Sequence, residues 1–411
     1  AATNTTEGIN SGMDFQNFQP AAHAQHAFTA VGASGPAARP LDFPEPIVKR
    51  GVRVNALVVH PTTGQREILQ GVIHKEELSN SAVLAKGEQL EFVAYWPRRR
   101  LQDAIYGSVW ACLVLRRHYG VAADDAARAA GVEPGNPAAP TVWEVTGEHV
   151  AIKMVEWANV HRMRGRLLED PVKEIAAMQL IGAGSPHVLG STEVLQDDDF
   201  LYSIMPYCAG GDLFGVVVNY AEENDGEGGM PEPVARYWFR QVLQGIHHLQ
   251  SRGVCHRDLS LENILVNEDN CAIIDMGMCL RVPYSDPFNA EATTDVRAGT
   301  MRRLMTPQGV CGKHNYMSPE IFQNQANFDG FAIDMWAAGV ILYIMLTGFP
   351  PYDQATQADQ RLQIIAEGYL VEQLDDWGIT LSQEAGDLLQ RMMRIEPSER
   401  LTLAEVSGHP W

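Results

Sequence analysis

Side chains that could hold a cation or accept a proton occur in short strings along the chain. Lys153 ends the string Val-Ala-Ile-Lys, and Asp258 and Asn263 share the string His-Arg-Asp-Leu-Ser-Leu-Glu-Asn. Asp275 begins Asp-Met-Gly. Carboxylate and amide oxygens suit hard cations such as Mg²⁺, and a carboxylate can also act as a base. Each string is common by itself, so any conclusion must come from their order and spacing.

Five strings follow one another in a fixed order. They are Val-Ala-Ile-Lys at 150–153, His-Arg-Asp-Leu-Ser-Leu-Glu-Asn at 256–263, Asp-Met-Gly at 275–277, Met-Ser-Pro-Glu at 317–320 and Asp-Met-Trp-Ala-Ala-Gly at 334–339. This order resembles the eukaryotic protein kinase family from about Leu101 to Trp411. Leu-Thr-Gly-Phe-Pro-Pro-Tyr at 346–352 and the C-terminal His-Pro-Trp look most like serine/threonine kinases of the calcium/calmodulin-dependent type.

The resemblance implies an α+β, bilobal kinase fold that moves the γ-phosphate of ATP, with Mg²⁺, to Ser or Thr hydroxyls of proteins. Lys153 would pair the α- and β-phosphates, and Glu174 would be its ion-pair partner. Glu169 and Asp170 are alternatives to Glu174, but both precede Pro171 and so lie before the helix or at its start. Asp258 would orient the substrate hydroxyl and take its proton.

The resemblance also implies where the metal ions and the nucleotide bind. Asn263 and Asp275 would hold the metal ions, because hard cations prefer oxygen ligands. The residues assigned to the nucleotide pocket, besides Lys153, are Gly107, Val109, Ala151, Met205, Tyr207, Cys208, Asp212 and Leu265. Two structural contacts are expected as well: an ion pair between Glu320 and Arg400, and bonds from Asp334 to the backbone near His256.

The glycine-rich loop of the family is degraded in this chain. Gln102, Ala104 and Gly107 fill its three glycine positions before Val109. Because glycine allows the backbone to approach phosphates closely, two losses predict weaker or slower nucleotide binding. A pseudokinase scaffold, or a weakly active kinase, is therefore the alternative reading. Retention of Lys153, Asp258, Asn263 and Asp275 argues against the pseudokinase alternative.

Two further departures occur near the proposed base. Ser260 stands where serine/threonine kinases usually have a lysine, and Lys313 stands where they usually have a threonine. Those two side chains meet beside the catalytic aspartate in the family. Lys313 is therefore predicted to reach Asp258 as a relocated catalytic cation, unless the two changes are unrelated.

The activation segment, residues 275–320, lacks the usual phosphoacceptor. Gly309 occupies that position, with Thr306 and Thr300 as nearby alternatives, while Arg257, which would receive a phosphate, is present. Regulation by phosphorylation is therefore in doubt. Glu262 and Asp212 occupy positions that are acidic in basic-directed kinases, so the expected substrate is a protein with a basic residue N-terminal to the phosphoacceptor.

Composition limits the classes of partner. The chain has 411 residues, with 31 Lys and Arg against 51 Asp and Glu, for a formal charge of -20. Such a charge argues against nucleic acid or an anionic membrane as the main partner. The six cysteines form no C-x-x-C pair, and the N-terminus does not have the pattern of a secretory signal. A cytoplasmic or nuclear protein is therefore expected.

The elements that position these residues divide into three regions. Residues 1–47, rich in Ala, Thr, Asn, Gly and Pro, are predicted to form a disordered tail. Residues 48–100 contain strand-like runs joined by Pro-Thr-Thr-Gly, which predict a β extension packed on the small lobe or, alternatively, a separate binding module. Residues 101–411 form the predicted kinase domain, with a small lobe at 101–205 and a large lobe at 209–411.

Overall fold

The molecule has a β-rich lobe followed by a helical lobe, which confirms the predicted α+β class. The computed structural model describes residues 37–75, 93–136, 139–163, 165–223, 228–286, 289–294 and 301–411. The predictions for residues 1–36 and for Thr300 lie outside these ranges.

Seven strands of the small lobe form a closed barrel in the order β1-β2-β3-β4-β5-β7-β6. They are β1 (Lys49–Val59), β2 (Arg66–Lys75), β3 (Val93–Ala104), β4 (Gly107–Arg117), β5 (Trp143–Glu156), β6 (Glu193–Gln196) and β7 (Phe200–Pro206). The β1–β2 hairpin joins the two edges of the sheet, since β2 pairs with β3 and β1 pairs in parallel with β6. The closing contacts are short, with two residue pairs between β2 and β3 and two between β1 and β6.

Two domain boundaries expected from the sequence fall within regions that the structure describes. β3 runs through the expected boundary at residue 100, so the N-terminal strands belong to the same sheet as the small lobe. Val58, Val72 and Leu115 are fully buried in one cluster shared by these strands. Residues 37–47, which the sequence assigned to a disordered tail, bond to the large lobe and to the helix Pro171–Ile181.

Three helices accompany the barrel. They are α1 (Val121–Ala129), α2 (Trp157–Met163) and α3 (Pro171–Ile181). α1 lies within a stretch rich in Ala, Gly and Pro, residues 120–141, and packs Ala122 against Val59 and Val142. α3 packs Ile175 against Val155 and so attaches to the end of β5.

The large lobe is built around helices and several short strands. Its helices are α4 (Leu213–Glu223), α5 (Glu232–Ser251), α6 (Pro319–Gln323), α7 (Gly330–Thr347), α8 (Gln360–Glu367), α9 (Leu370–Asp376), α10 (Gln383–Met392) and α11 (Leu403–Ser407). Its strands are β8 (Val254–Cys255), β9 (Ile264–Asn267), β10 (Asn270–Ile273), β11 (Leu280–Arg281), β12 (Tyr284–Asp286), β13 (Asn289–Thr294) and β14 (Met301–Arg302). A 3-10 turn, Leu261–Asn263, precedes β9.

α7 is the central helix of the large-lobe core. The Asp329 side chain caps its first turn, and Gly348 ends it with a φ of 85°, which favours glycine. By length and composition α7 could cross a membrane, but all of its residues are buried inside the protein. The apolar stretch that begins at Met335 thus forms a core helix.

Candidate active site

Lys153 and Glu174 form a buried ion pair between β5 and α3. The Asp170 side chain caps α3 by accepting from the Val172 amide at 2.9 Å, and Pro171 occupies the first helical position. Glu174 therefore lies in the first turn, where both of its carboxylate oxygens are 2.7 Å from Lys153 Nζ. Asp170 is the helix cap and not the partner of the lysine.

The surroundings of Lys153 keep it positively charged. Burial alone would lower the pKa of Lys153, but the carboxylates of Glu174 and Asp275 raise it above its ordinary value. A charged ammonium held between two acidic groups is suited to bind phosphate oxygens. The sequence spacing had predicted this ion pair, and the structure contains it.

Asp258 lies in a loop after β8, and main-chain and side-chain groups fix its position. The Lys313 amide donates to Asp258 Oδ1 at 3.1 Å, and Asn263 Nδ2 donates to Asp258 Oδ2 at 3.1 Å and to its carbonyl oxygen at 2.8 Å. Burial raises the pKa of the Asp258 carboxyl, while the neighbouring Lys313 and His256 side chains oppose that rise. A carboxylate with a raised pKa is a better proton acceptor near neutral pH.

The Asp334 side chain on α7 fixes the backbone of this loop by hydrogen bonds. Its carboxylate accepts from the amides of His256 at 2.7 Å and Arg257 at 2.9 Å, as the sequence predicted. Burial raises the pKa of Asp334 to about 6. His256 Nε2 lies 2.8 Å from the Ile274 carbonyl oxygen, next to Asp275, and so links the loop to the second acidic string.

The side chains of Asn263 and Asp275 fit a magnesium site. Asn263 makes both of its bonds to Asp258 through Nδ2, so Oδ1 is the atom that can meet a cation. Asp275 follows β10, and its Oδ1 accepts from the Gly277 amide at 3.1 Å. Among the described residues no group of three His, Cys, Asp or Glu side chains is arranged around a metal position. Two oxygen-bearing side chains are consistent with Mg²⁺, which keeps several waters and nucleotide oxygens as ligands.

The sequence missed a role for Glu169 near Asp275. The Cγ atom of Glu169 lies 3.4 Å from where a Cβ on Gly277 would be. Burial and the charge of Asp275 raise the pKa of Glu169. Glu169 had been considered as the partner of Lys153, but it faces the Asp-Met-Gly string instead. Its position before the helix cap gave no local indication of that.

Lys313 meets Asp258 and Ser260 through different atoms. Its main-chain amide contacts Asp258, whereas its Nζ bonds Ser260 Oγ at 2.6 Å and lies 4.0 Å from Glu262 Oε2. The predicted meeting of positions 260 and 313 is therefore present. The bond to the Asp258 carboxylate comes from the Lys313 amide, while the ammonium acts on Asp258 through its charge, which lowers the pKa of that carboxyl.

Strand pairing gathers the residues predicted for the nucleotide pocket. Val109 on β4 pairs with Lys153, and Ala151 pairs with Met205 at the end of β7. The chain then passes through Tyr207 and Cys208, and a bridge joins Asp212 to Leu265 on β9. The Tyr207 hydroxyl accepts a bond from Arg99 on β3 at 3.0 Å.

The degraded glycine-rich loop is the tight turn between β3 and β4. Ala104 pairs with Gly107 across it, and Gln102 pairs with Val109. A Cβ on Gly107 would lie 1.9 Å from the Met154 carbonyl oxygen, so glycine is required there. Its retention is thus explained by close approach to β5.

Tyr106 at the tip of this turn is a residue that sequence reasoning missed. Its ring is 6% exposed and packs with Val155 and Ile175, and its hydroxyl donates to the Glu169 carbonyl oxygen at 2.8 Å. The tip is thereby tied to the segment that enters α3. An aromatic residue next to the retained glycine was the available signal.

Comparison with known proteins identifies the family. The model of the protein kinase domain matches residues 140–411. The chain belongs to the protein kinase family. The match begins after β1–β4 and α1, so the hairpin with the degraded loop lies outside it, although the sequence resemblance had been extended to Leu101.

The similar proteins are serine/threonine kinases. The chain is 30% identical over 269 residues to CBL-interacting serine/threonine-protein kinase 16 of Arabidopsis thaliana, covering 65% of this chain and 51% of that protein. It is 30% identical over 268 residues to maternal embryonic leucine zipper kinase of Xenopus laevis, covering 65% and 36%. It is 32% identical over 273 residues to serine/threonine-protein kinase DCLK3 of Homo sapiens, covering 65% and 36%. The chain thus spans about half or less of the length of these kinases.

Proposed function

We propose that this chain is a protein kinase that transfers the γ-phosphate of ATP to Ser or Thr hydroxyls of proteins. The observation that carries the proposal is the buried pair of Lys153 and Glu174, which lies within the electrostatic range of Asp275. Phosphoryl transfer depends mainly on positioning and on neutralising charge, and these residues supply both.

The proposed roles follow from the atoms that each residue presents. Lys153 binds the α- and β-phosphates and is oriented by Glu174. Asn263 Oδ1 and the Asp275 carboxylate hold magnesium, which supplies charge neutralisation when bound. Asp258 orients the substrate hydroxyl and takes its proton, because a raised pKa favours protonation of the carboxylate.

The proposed nucleotide pocket lies between the lobes. Val109, Ala151 and Leu265 provide apolar walls, and Met205 lies at the back. The backbone at Tyr207 and Cys208 meets adenine, while Gly107 and Asp212 border the pocket. Its support is the pairing of β4 with β5 and of β5 with β7, together with the bridge from Asp212 to Leu265 on β9.

Lys313 is proposed as a second catalytic cation. Its ammonium lies next to Ser260, in the loop that carries Asp258. Negative charge on the transferring group is stabilised by a cation held in advance at that position. The bond to Ser260 holds the lysine there without a large loss of side-chain freedom during the reaction.

The proposed substrate carries a basic residue N-terminal to its phosphoacceptor. Asp212 and Glu262 supply the negative charge. Asp212 directly precedes α4, and Glu262 lies in the 3-10 turn that follows Asp258. Lys313 is 4.0 Å from Glu262 and partly offsets that charge. We therefore propose a modest preference that depends mainly on Asp212. The six free cysteines support action in the cytoplasm or nucleus.

A comparison of two charge-removing variants tests the proposed activity. Asp258→Asn removes the proposed base, whereas Asp269→Asn makes the same change at an exposed turn. Transfer of phosphate from ATP to a generic protein substrate should require Mg²⁺, be lost in Asp258→Asn and remain in Asp269→Asn. If the parent chain binds ATP without transferring phosphate, the pseudokinase reading is right and the proposed activity is wrong.

A further inference from the structure

Residues 37–47 form an ordered strap that joins the activation segment. The Ala38 amide donates to the Leu304 carbonyl oxygen at 2.9 Å, and the Thr306 amide donates to the Ala38 carbonyl oxygen at 3.1 Å. These two bonds add a short parallel bridge at Met305. Met305 is completely buried. The N-terminal strap thus contributes main-chain bonds to the segment that precedes Gly309.

The N-terminal strap also bonds to two further elements next to the candidate active site, β11 and α3. The Leu41 amide donates to the Arg281 carbonyl oxygen at 2.9 Å, and Arg281 Nη1 donates to the Asp42 carbonyl oxygen at 2.9 Å. Arg281 lies on β11, shortly after the Asp-Met-Gly string. At its end, Ile47 exchanges two bonds of 2.8 Å with the side chain of Gln179 on α3.

The strap has features of a stiff connection. Pro40, Pro44 and Pro46 fix φ at three of its positions, which reduces the conformational entropy lost when it is ordered. Phe43 packs against the core of the large lobe. A stiff segment with bonds at both ends restrains the distance between those ends.

The activation segment has other phosphate-independent contacts. Arg257 Nη2 donates to the Gly309 carbonyl oxygen at 3.0 Å, and the Gly309 amide donates to Asn324 Oδ1 at 3.1 Å. In kinases, new pairs between arginine and a phosphoresidue commonly order this segment. Here a main-chain carbonyl meets the arginine, at a position with φ of 90° and no hydroxyl.

We propose that residues 37–47 act as a positioning element that holds the activation segment, β11 and α3 in their catalytic arrangement, a task that a phosphate on the segment performs in other kinases. The proposal rests on the proposed kinase function for its consequence on activity. Its structural part, coupling between the strap and residues 304–306, is independent of that function.

Two truncations of the full chain test the proposal. The first removes residues 1–47, and the matched control removes residues 1–36 and keeps the strap. Amide hydrogen exchange at Thr306 should be at least about tenfold faster without the strap, while amides of α7 keep their protection. The value of kcat/KM for a peptide substrate should fall about tenfold or more in the first truncation and remain unchanged in the control.

Point variants separate positioning from general loss of stability. Ala38→Pro removes the amide that bonds Leu304, whereas Arg39→Ala changes an exposed neighbour. The proline variant should reproduce the faster exchange at Thr306 and the loss of kcat/KM, and the alanine variant should not. A synthetic peptide of residues 37–47 should restore activity to the truncated chain.

Three results would overturn the proposal. They are unchanged exchange at Thr306 after removal of the strap, an equal loss of protection throughout α7, and full activity in Ala38→Pro. If the parent chain has no kinase activity but exchange at Thr306 still depends on the strap, the proposed function fails and the coupling stands. If activity is present and exchange does not respond, the strap proposal alone fails.

Discussion

Replacing Lys313 by threonine tests whether a cation at this position contributes to catalysis. The change removes an ammonium that lies 2.6 Å from Ser260 Oγ, and it leaves the main-chain amide that bonds Asp258. The loop geometry around Asp258 should therefore survive. The loss should fall mainly on kcat, because the proposed interaction strengthens in the transition state.

The structure limits the size of this effect. A bond from a charged group contributes about 1.5–3 kcal/mol, and removal of a donor in a closed site costs about 10²- to 10³-fold in rate. The Lys313 side chain is 38% exposed, so solvent screening favours the lower part of that range. At about 1.4 kcal/mol for each factor of ten, about 1.5–3 kcal/mol corresponds to about 10- to 150-fold, and the lower part of that range predicts a fall in kcat of about 10- to 30-fold.

The pH dependence gives a second measurement. The charge of Lys313 opposes the rise in the pKa of Asp258 that burial causes. Without the ammonium that pKa should be higher still, so the acid side of the kcat/KM profile should move to higher pH. Lys75→Thr, the same substitution at an exposed end of β2, should leave both kcat and the profile unchanged.

The double variant decides whether positions 260 and 313 exchange one function. Lys313→Thr combined with Ser260→Lys should recover kcat to within about tenfold of the parent, because the cation returns to the same contact from the other side. Steady-state kinetics with a peptide substrate should be measured for the parent, Lys313→Thr, the Lys75→Thr control and the double variant. A fully active single variant, or a double variant no better than the single one, would refute the reasoning.

Other contacts allow further predictions. Gly107→Ala places a Cβ against the Met154 carbonyl oxygen and must shift the turn between β3 and β4. The KM for ATP should therefore rise about tenfold in a nucleotide titration. An unchanged KM would contradict the steric argument. Arg302→Met leaves the fully buried Asp329 without the cation 2.9 Å away, which should cost about 3–5 kcal/mol. Thermal unfolding should show a lower Tm, and adding Asp329→Asn should recover part of it; an unchanged Tm would show that this ion pair is not needed.

The parts of the site that could be predicted from sequence are those with local patterns. Lys153 ends a β-strand pattern, and Glu174 fits a helical run with apolar residues on one face. The strings around Asp258 and Asp275 then specified two loops of the large lobe. The positions of these residues could be predicted without knowing distant contacts, because each residue is placed by the strand, helix or loop that carries it.

Long-range main-chain pairing could not be predicted in the same way. β1 pairs in parallel with β6, at Lys49 and Leu195, and no period in either segment indicates that partner. The bridge from Ala38 to Met305 and the packing of Tyr106 against Val155 and Ile175 likewise join residues that are far apart in the sequence. The composition of residues 1–47, rich in Ala, Thr, Asn, Gly and Pro, favoured disorder, but the three prolines within residues 37–47 also suit an extended strap.

The buried helix α7 can now be understood as the support for a strained catalytic loop. Arg257 has a φ of 69° and Asp275 a φ of 67°, and such left-handed conformations cost about 1–3 kcal/mol each in non-glycine residues. Asp334, 1% exposed on α7, bonds the Arg257 amide, and His256 ties that loop to the backbone beside Asp275. A mobile support would let both residues relax to ordinary dihedral angles. The complete burial of α7 therefore serves the site as well as the core, since it keeps Arg257, which precedes the proposed base Asp258, and Asp275, the proposed metal ligand, in conformations that they would not adopt alone.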